Sequence, residues 1–564
     1  MYVEKKNSPK QILGKIKGLI NPTNVMVSEI SPSIKILRDV HIPTRDGGYL
    51  SANVYMPSHE GTFPVLLSLH PARKDVLCKD GYMHIQFRFA RQPGTINFSD
   101  ETSFEAPDPD FWATNGYVVI NIDKRGFGLS PKGSAPQKFF DQDEIENLYD
   151  AVEWAGVQPW SSGNVGLLGV SYLAINQYKV AAMQPPHLKA ICPWEGVSDL
   201  YKDWFYPGGV REDGFTPFFS GRIQQFGYAM DLRKEQTDHE THDDWWKSFV
   251  PDYEKITVPM LNCISFASQM MHTRGSNRVY KLAGSAHKWL YTHRGGEWTA
   301  YYSTEVNALM LKFFDRFLKE INNGMDEHPK VRLEIREFGH EVKEVRYEDQ
   351  FPPENVVWTP IYLDGSNKAM SLNGDVVESA PSFDLAKGSL QYAYIFEHDA
   401  EIVGPMKLTL YVELEGCDDA SIFAGIQKFH DGKEVNFDGT YGFPNDIVTK
   451  TAQRVALRTV NEDLSTPFSP EHDFDTLKPL QKGEVAKMEL QLEPSATYFR
   501  KGDELRLVVQ GNYFISGVKV NQPFTYKKST GRCKIHSSAQ YPSELLMPVI
   551  SMGKYEKHLR TLNI

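Results

Sequence analysis

Six short stretches in the first 340 residues are nearly continuous apolar runs: FPVLLSLH (63–70), GYVVINID (116–123), NVGLLGV (164–170), LKAICPW (188–194), VPMLNCIS (258–265) and HKWLYTH (287–293). Runs of this length without polar alternation predict strands buried on both faces. Helical periods lie between them. In DEIENLYDAVEWAGVQ (143–158), Ile145, Leu148, Val152 and Ala155 form one stripe, and acids fill the first turn, where they complement the helix dipole. STEVNALMLKFFDRFLKEINNG (303–324) repeats the period, with a predicted N-cap at Ser303 and a predicted stop at Gly324. Strands alternating with helices imply a mainly parallel sheet, wound on both faces.

Two departures from that rhythm divide the chain. Residues 201–255 are rich in aromatics and acids and hold no sheet-like run, although they fall between two core strands. A long insertion at such a place is read as a helical cap. After about residue 340 the pattern alternates instead. MKLTLYVEL (406–414), AKMELQLEP (486–494) and DELRLVVQG (503–511) place apolar side chains on one face only, separated by turn residues. This predicts a β-sandwich. The expected division is an N-terminal extension (1–34), an α/β core (35–200 and 256–340), the cap (201–255) and a sandwich (341–564), with EDQFPPENVVW (348–358) near the last boundary.

A chain of 564 residues is too long for one ordinary core, in keeping with several domains. The net charge of −11 has both signs mixed along the chain, without the clustered Lys and Arg that a nucleic-acid surface needs. No run approaches the ~18–20 apolar residues of a membrane span. The first twenty residues are amphipathic and lack a long apolar core with a cleavage site. The expectation is a cytoplasmic protein with no membrane or nucleic-acid partner. Five scattered cysteines, Cys78, Cys192, Cys263, Cys417 and Cys533, are read as free thiols, and no Cys/His set has zinc-like spacing.

The candidate chemistry lies in GVSYL, residues 169–173, which follows one of the buried runs and precedes a helical stretch. A serine on a tight strand-to-helix turn is lifted above the sheet, with the next backbone N–H aimed at a reacting carbonyl oxygen. That makes Ser171 a candidate nucleophile and the Tyr172 N–H a candidate oxyanion donor. The competing structural reading is a serine that only caps a helix.

GNVGLLGVSYLA (163–174) resembles the G-x-S-Y-x-G elbow of the cocaine esterase and X-Pro dipeptidyl-peptidase family, with Ala174 in place of the last glycine. IPTRDGGYLSANVYMPSHEGTFPVLLSLHPARKD (42–75), DKRGFGLSPKG (123–133), PWEGVSDLYKDWFYPGG (193–209), HTRGS (272–276), HKWLYTH and PSATYFRKGDELRLVVQG (494–511) agree with it, so the resemblance covers about residues 35–515. It implies an α/β-hydrolase core, an inserted helical cap and a C-terminal jelly roll that walls the active site. It also implies a triad in the order Ser, Asp, His, with no metal or organic cofactor. The base is expected after the last core strand, where His293 stands. His287 precedes that strand and falls at its opposite end, and His272, in the loop after the preceding strand, is the remaining competitor.

Two family positions are changed. The aspartate position is Ser268, and no acid occurs between Glu254 and Glu297. The tyrosine that assists the oxyanion in the family is Ala72, in the turn His70-Pro71-Ala72-Arg73. One oxyanion donor is worth about 10²–10³ in rate, and the acid on the order of 10⁴. Glu195, just after the LKAICPW strand, is the substitute acid the sequence offers, with Asp199 as a poorer choice; a hinge or salt-bridge role at the base of the cap competes. For a second oxyanion donor the candidates are the Ala72 N–H, His70 and Arg73. The leading expectation is a serine hydrolase that cleaves an ester or amide of a small molecule through an acyl-enzyme at Ser171. The alternatives are a non-hydrolytic or weakly active descendant using the same pocket, and an extracellular protein whose sandwich binds carbohydrate. The cap aromatics suggest an apolar or aromatic acyl group, or else form the cap's own core. The oligomeric state is open, a homo-oligomer included.

Overall fold

The apolar runs form a single twisted sheet. The structure is a computed structural model describing residues 23–551, except 72, 82–83, 85–86, 88–93, 134–137, 226–229, 441–443 and 515–529. Its core strands are β1 (Ile34–Pro43), β2 (Tyr49–Pro57), β3 (Phe63–His70), β4 (Val118–Asp123), β5 (Ser161–Val170), β6 (Leu188–Trp194), β7 (Met260–Ser265), β8 (Lys288–His293) and β9 (Val331–Phe338). They lie side by side in the order β1-β2-β4-β3-β5-β6-β7-β8-β9. The first two pairings, β1 with β2 and β2 with β4, are antiparallel; all the others are parallel. Every residue of β4 and β7 is buried, as continuous apolar runs require.

Helices α1 (Gln142–Gly156), α2 (Tyr172–Ala182), α3 (His272–Leu282), α4 (Glu297–Tyr301) and α5 (Thr304–Leu318) supply the connections. Ser303 caps α5 by accepting the Val306 N–H, as its sequence predicts. The helix stops earlier than Gly324, because Glu320 takes a left-handed φ of 58° and the Ile321 N–H closes back on the Asp315 carbonyl. Among the described residues between β6 and β7 are short helices, including Phe215–Gln225, Leu232–Asp238 and Asp244–Lys247. Their aromatic side chains pack with Phe139, Phe140 and Tyr172 of the core in one apolar cluster.

The C-terminal part is mainly antiparallel. One layer pairs Ser389–Ile395 and Ser421–His430 with Glu504–Gln510, and adds Thr449–Arg454. The other pairs Ala400–Glu415 with Ala486–Phe499 and with Glu544–Ser551, which in turn pairs with Val357–Asp364. Alternate side chains of both layers meet in a core that includes Leu408, Leu410, Ile422, Leu490 and Leu507. This β domain seats against the end of β8. The buried Arg294 donates to the carbonyls of Ile447, Val448 and Asp438, which satisfies a charge that burial would otherwise penalise. Among the described residues all five cysteines are free, four of them buried, and no helix is long and apolar enough to cross a membrane. The amphipathic N-terminal stretch lies outside the described residues.

Candidate active site

β5 delivers Ser171 at its end, and the turn there is severe. Ser171 has φ 55° and ψ −110°, a region that costs an L-residue energy and persists only when its surroundings enforce it. Two hydrogen bonds do so: the Ser171 N–H to the Trp194 carbonyl at 2.9 Å, and the Val170 N–H to the Glu105 carbonyl at 3.1 Å. Gly169, at φ 152°, leaves the room; a Cβ there would lie 2.5 Å from that of Leu173. The helix starts at once, with the Ala174 and Ile175 N–H groups both reaching the Ser171 carbonyl. Ser171 itself is half-buried between buried neighbours.

The side chain that meets it is His272. Ser171 Oγ lies 3.3 Å from His272 Nε2. The other ring nitrogen, Nδ1, is 3.1 Å from Ser268 Oγ and 3.7 Å from Glu195 Oε2. The remaining oxygen of Glu195 is 2.9 Å from His293 Nε2. Glu195 thus bridges two buried histidines, and the polar chain runs from Ser171 through His272 and Glu195 to His293.

A crystal structure of a CocE/NonD family hydrolase from Staphylococcus aureus is 33% identical, covers 92% of this chain and 94% of its own, and superposes with a TM-score of 0.87. This chain belongs to the CocE/NonD family of hydrolases. The model of the X-Pro dipeptidyl-peptidase (S15 family) matches residues 46–230, and that of the X-Pro dipeptidyl-peptidase C-terminal non-catalytic domain matches residues 323–546. The cocaine esterase of Rhodococcus sp. is 23% identical over 92% of this chain and all of its own length. A putative Xaa-Pro dipeptidyl-peptidase of Bacillus anthracis is 22% identical over 64% of this chain and 62% of its own.

In this CocE/NonD hydrolase the expected residues gather at one place but not in the expected roles. Ser171, Ser268, Glu195 and His293 share the cluster, yet the histidine in contact with Ser171 is His272. His293 stands on the far side of Glu195, with its ring stacked on Trp194 and Nδ1 without a hydrogen-bond partner. The reason is geometric. His293 is the last residue of β8, in register with Ser265 of β7, so β6 and β7 separate it from the elbow at about 4.8 Å per strand. His272 opens α3, after a loop that turns back toward Ser171. SQMMH spaces Ser268 and His272 four apart, and the His272 N–H closes that turn on the Ser268 carbonyl at 3.0 Å; this spacing pairs the two residues with each other but does not tell which histidine meets Ser171. His287 is exposed before β8. Asp199 accepts the Lys202 N–H and pairs with His242, within the cap. His70, at the end of β3, is buried, which pushes its imidazole down to about 4. Arg73 pairs with Asp75 at 3.9 Å. Ala72 lies outside the described residues.

Electrostatically the cluster is an acid among acids. Burial pushes the Glu195 carboxyl up, but the bonds and charges of His272 and His293 outweigh it and hold it below the ordinary range. Glu105 and Glu297 go the other way. Burial, with the Glu195 charge added, pushes Glu105 up to about 8 against an opposing hydrogen bond from Trp298. Burial and then the charges of Glu195 and Glu105 drive Glu297 well above the ordinary value, and neither of its oxygens has a hydrogen-bond partner. One negative charge, on Glu195, is therefore the state the site favours at neutral pH. Strain is concentrated here too: Glu105, Ser171, Glu195 and Met270 all have left-handed φ, between 52° and 63°.

Two overlapping sets could hold an ion: Glu195 with Cys263 and His293, and Glu195 with His272 and Glu297. Both draw on the carboxylate that already serves the histidines, and burial drives the Cys263 thiol well up, away from the thiolate a metal takes. On the other side of the elbow, Tyr172 stacks on Phe140 at 4.4 Å and bonds Glu144 through its hydroxyl at 2.5 Å. Beyond Phe140, the cap side chains Trp204, Phe205, Phe219, Met230 and Trp246 pack closely around a small apolar gap.

Proposed function

We propose that this hydrolase cleaves an ester or amide of a small molecule through an acyl-enzyme at Ser171, with His272 as its base. The observation that carries the reading is the 3.3 Å contact between Ser171 Oγ and His272 Nε2 at the strained end of β5. The hydroxyl proton passes to Nε2 as Oγ bonds to the carbonyl carbon. The Tyr172 N–H, at the first position of α2, receives the developing oxyanion. Nε2 then gives its proton to the leaving group as the C–O or C–N bond breaks, and water releases the acyl group by the same steps in reverse order. Ser268 fixes the ring's tautomer through Nδ1, and Glu195 opposes the imidazolium charge. His293 acts through Glu195, as a positioning residue.

The described residues of 201–255 are the cap over the site, and those of 341–551 wall it from the other side.

A fluorophosphonate probe tests the reading. Labelling should fall on Ser171 and vanish in Ser171→Ala, with aryl-ester hydrolysis down by at least about 10⁴-fold. His272→Asn should cost about as much, and His293→Asn clearly less. Equal activity of His272→Asn and wild type would overturn the assignment of the base. A second reading, a pocket that binds or transforms a small molecule without acyl chemistry, is favoured by the neutral Ser268 at the acid's position; it predicts no labelling at all.

A further inference from the structure

We propose that Glu493, a residue of the β domain, is a positioning residue for the catalytic base, so that the β domain sets the geometry of a site it does not itself carry. The inference rests on the reading of His272 as that base.

The loop between β7 and α3 faces two ways. Ser268 and His272 turn to Ser171 and Glu195. Gln269, Met270 and Arg274 turn to the β domain. Met270 holds a left-handed φ of 61°, and its N–H donates to Glu493 Oε1 at 2.8 Å. The amide of Gln269 is inserted beside a strand of that domain: Nε2 donates to the Val448 carbonyl at 3.0 Å, and Oε1 accepts the Lys450 N–H at 3.1 Å. Arg274, two residues beyond the base, lies 3.5 Å from Glu493 and donates to Thr451 Oγ1 at 3.2 Å. Glu493 is anchored in turn, since its carbonyl accepts the Thr449 hydroxyl at 2.7 Å. Its carboxyl is 1% exposed, and Oε2 has no hydrogen-bond partner.

Such a group is expensive to bury for stability alone. What it does is hold the one N–H whose residue is in a strained conformation, two positions before His272. A non-glycine residue in the left-handed region is strained and relaxes when its restraint goes. Released, Met270 would let the start of α3 shift, and a displacement of ~1 Å at a catalytic group costs about 10²-fold. Burial pushes the Glu493 carboxyl up to about 7, against Arg274, the Met270 N–H and Lys450, with Asp203 adding to the rise.

The test compares Glu493→Leu, Glu493→Gln and Gln269→Ala in the full chain on a 4-nitrophenyl ester. Glu493→Leu removes the acceptor; kcat should fall about 10²-fold, with KM nearly unchanged and fluorophosphonate labelling slowed in proportion. Glu493→Gln keeps an oxygen for the Met270 N–H and should recover most of the loss. Gln269→Ala, which leaves the buried carboxyl in place, should show the same split between kcat and KM, and serves if Glu493→Leu does not fold. Wild-type kcat in Glu493→Leu or in Gln269→Ala overturns the proposal, as does a loss that Glu493→Gln does not repair. If His272→Asn is itself fully active, the reading of the base has failed instead.

Discussion

At the scale of single residues, this site places its charge differently from its relatives' pattern. Ser268 stands where the resemblance implies an aspartate, and restoring that aspartate looks at first like a gain. The structure argues otherwise, because Glu195 already lies 3.7 Å from the same ring nitrogen. A carboxylate at position 268 would share that nitrogen with Glu195, and two like charges ~4 Å apart repel by about 4 kcal/mol at an effective dielectric of 20. The hydrogen bond gained, about 1.5–3 kcal/mol for a charged acceptor, does not cover that. Ser268→Asp should therefore raise kcat/KM less than about tenfold in the wild-type background and lower Tm. In Glu195→Gln, which removes the competing charge, the same change should restore much of the lost activity. Aryl-ester kinetics on the two single variants and the double variant decide it; a large gain from Ser268→Asp alone would mean that Glu195 does not serve His272.

At the scale of elements, the turn from β5 into α2 does what neither part does alone. The strand is buried because its neighbours β3 and β6 cover its edges, and the helix begins within one residue of its end. Only a residue without a Cβ fits at position 169, where φ is 152° and Leu173 closes the space. Gly169→Ala should cost at least about 2 kcal/mol in stability, read as a lower Tm, and should abolish probe labelling of whatever protein still folds. Retained labelling would show that the turn can relax without moving Ser171. The helix that carries His272 is closely packed at Gly275, where a Cβ would lie 2.7 Å from Asp203, but the loop before it is not locked in this way. The start of the helix is held by its own turn, with the His272 and Thr273 N–H groups on the Ser268 carbonyl, and by hydrogen bonds from a separate domain to Gln269 and Met270; the latter are the physical ground for the role assigned to Glu493.

For the molecule as a whole, the contact between cap and β domain is as specific as those within each part. Gly208, at φ 65°, lies against the strand Thr449–Arg454, and a Cβ there would be 1.7 Å from the Ala452 carbonyl oxygen. Arg454 pairs with Glu240 of the cap at 2.8 Å, and the His242 N–H reaches the Phe474 carbonyl. Gly208→Ala should push the cap off the β domain at a cost of about 1–3 kcal/mol. The expected readings are faster proteolysis within residues 201–255 and a higher KM for bulky aromatic esters. Unchanged KM and proteolysis would mean that the cap's position does not depend on this contact.

The sequence alone determined the strand order's raw material, the change from continuous to alternating apolar runs near residue 340, and the elbow at Ser171. Each is a local pattern, written in neighbours along the chain. It also singled out Glu195, since an acid directly after a core strand must emerge at the same sheet edge as the serine. Which histidine meets Ser171 was decided only by the tertiary structure. His293 and His272 both follow core strands, and nothing local distinguishes a side chain at a strand's last residue from one carried back by a loop. The answer depends on how far β8 stands from β5, and on a β-domain carboxyl more than two hundred residues away that fixes where the loop ends. Distances across a sheet and contacts between domains are sums over the whole fold, and no stretch of the sequence contains them.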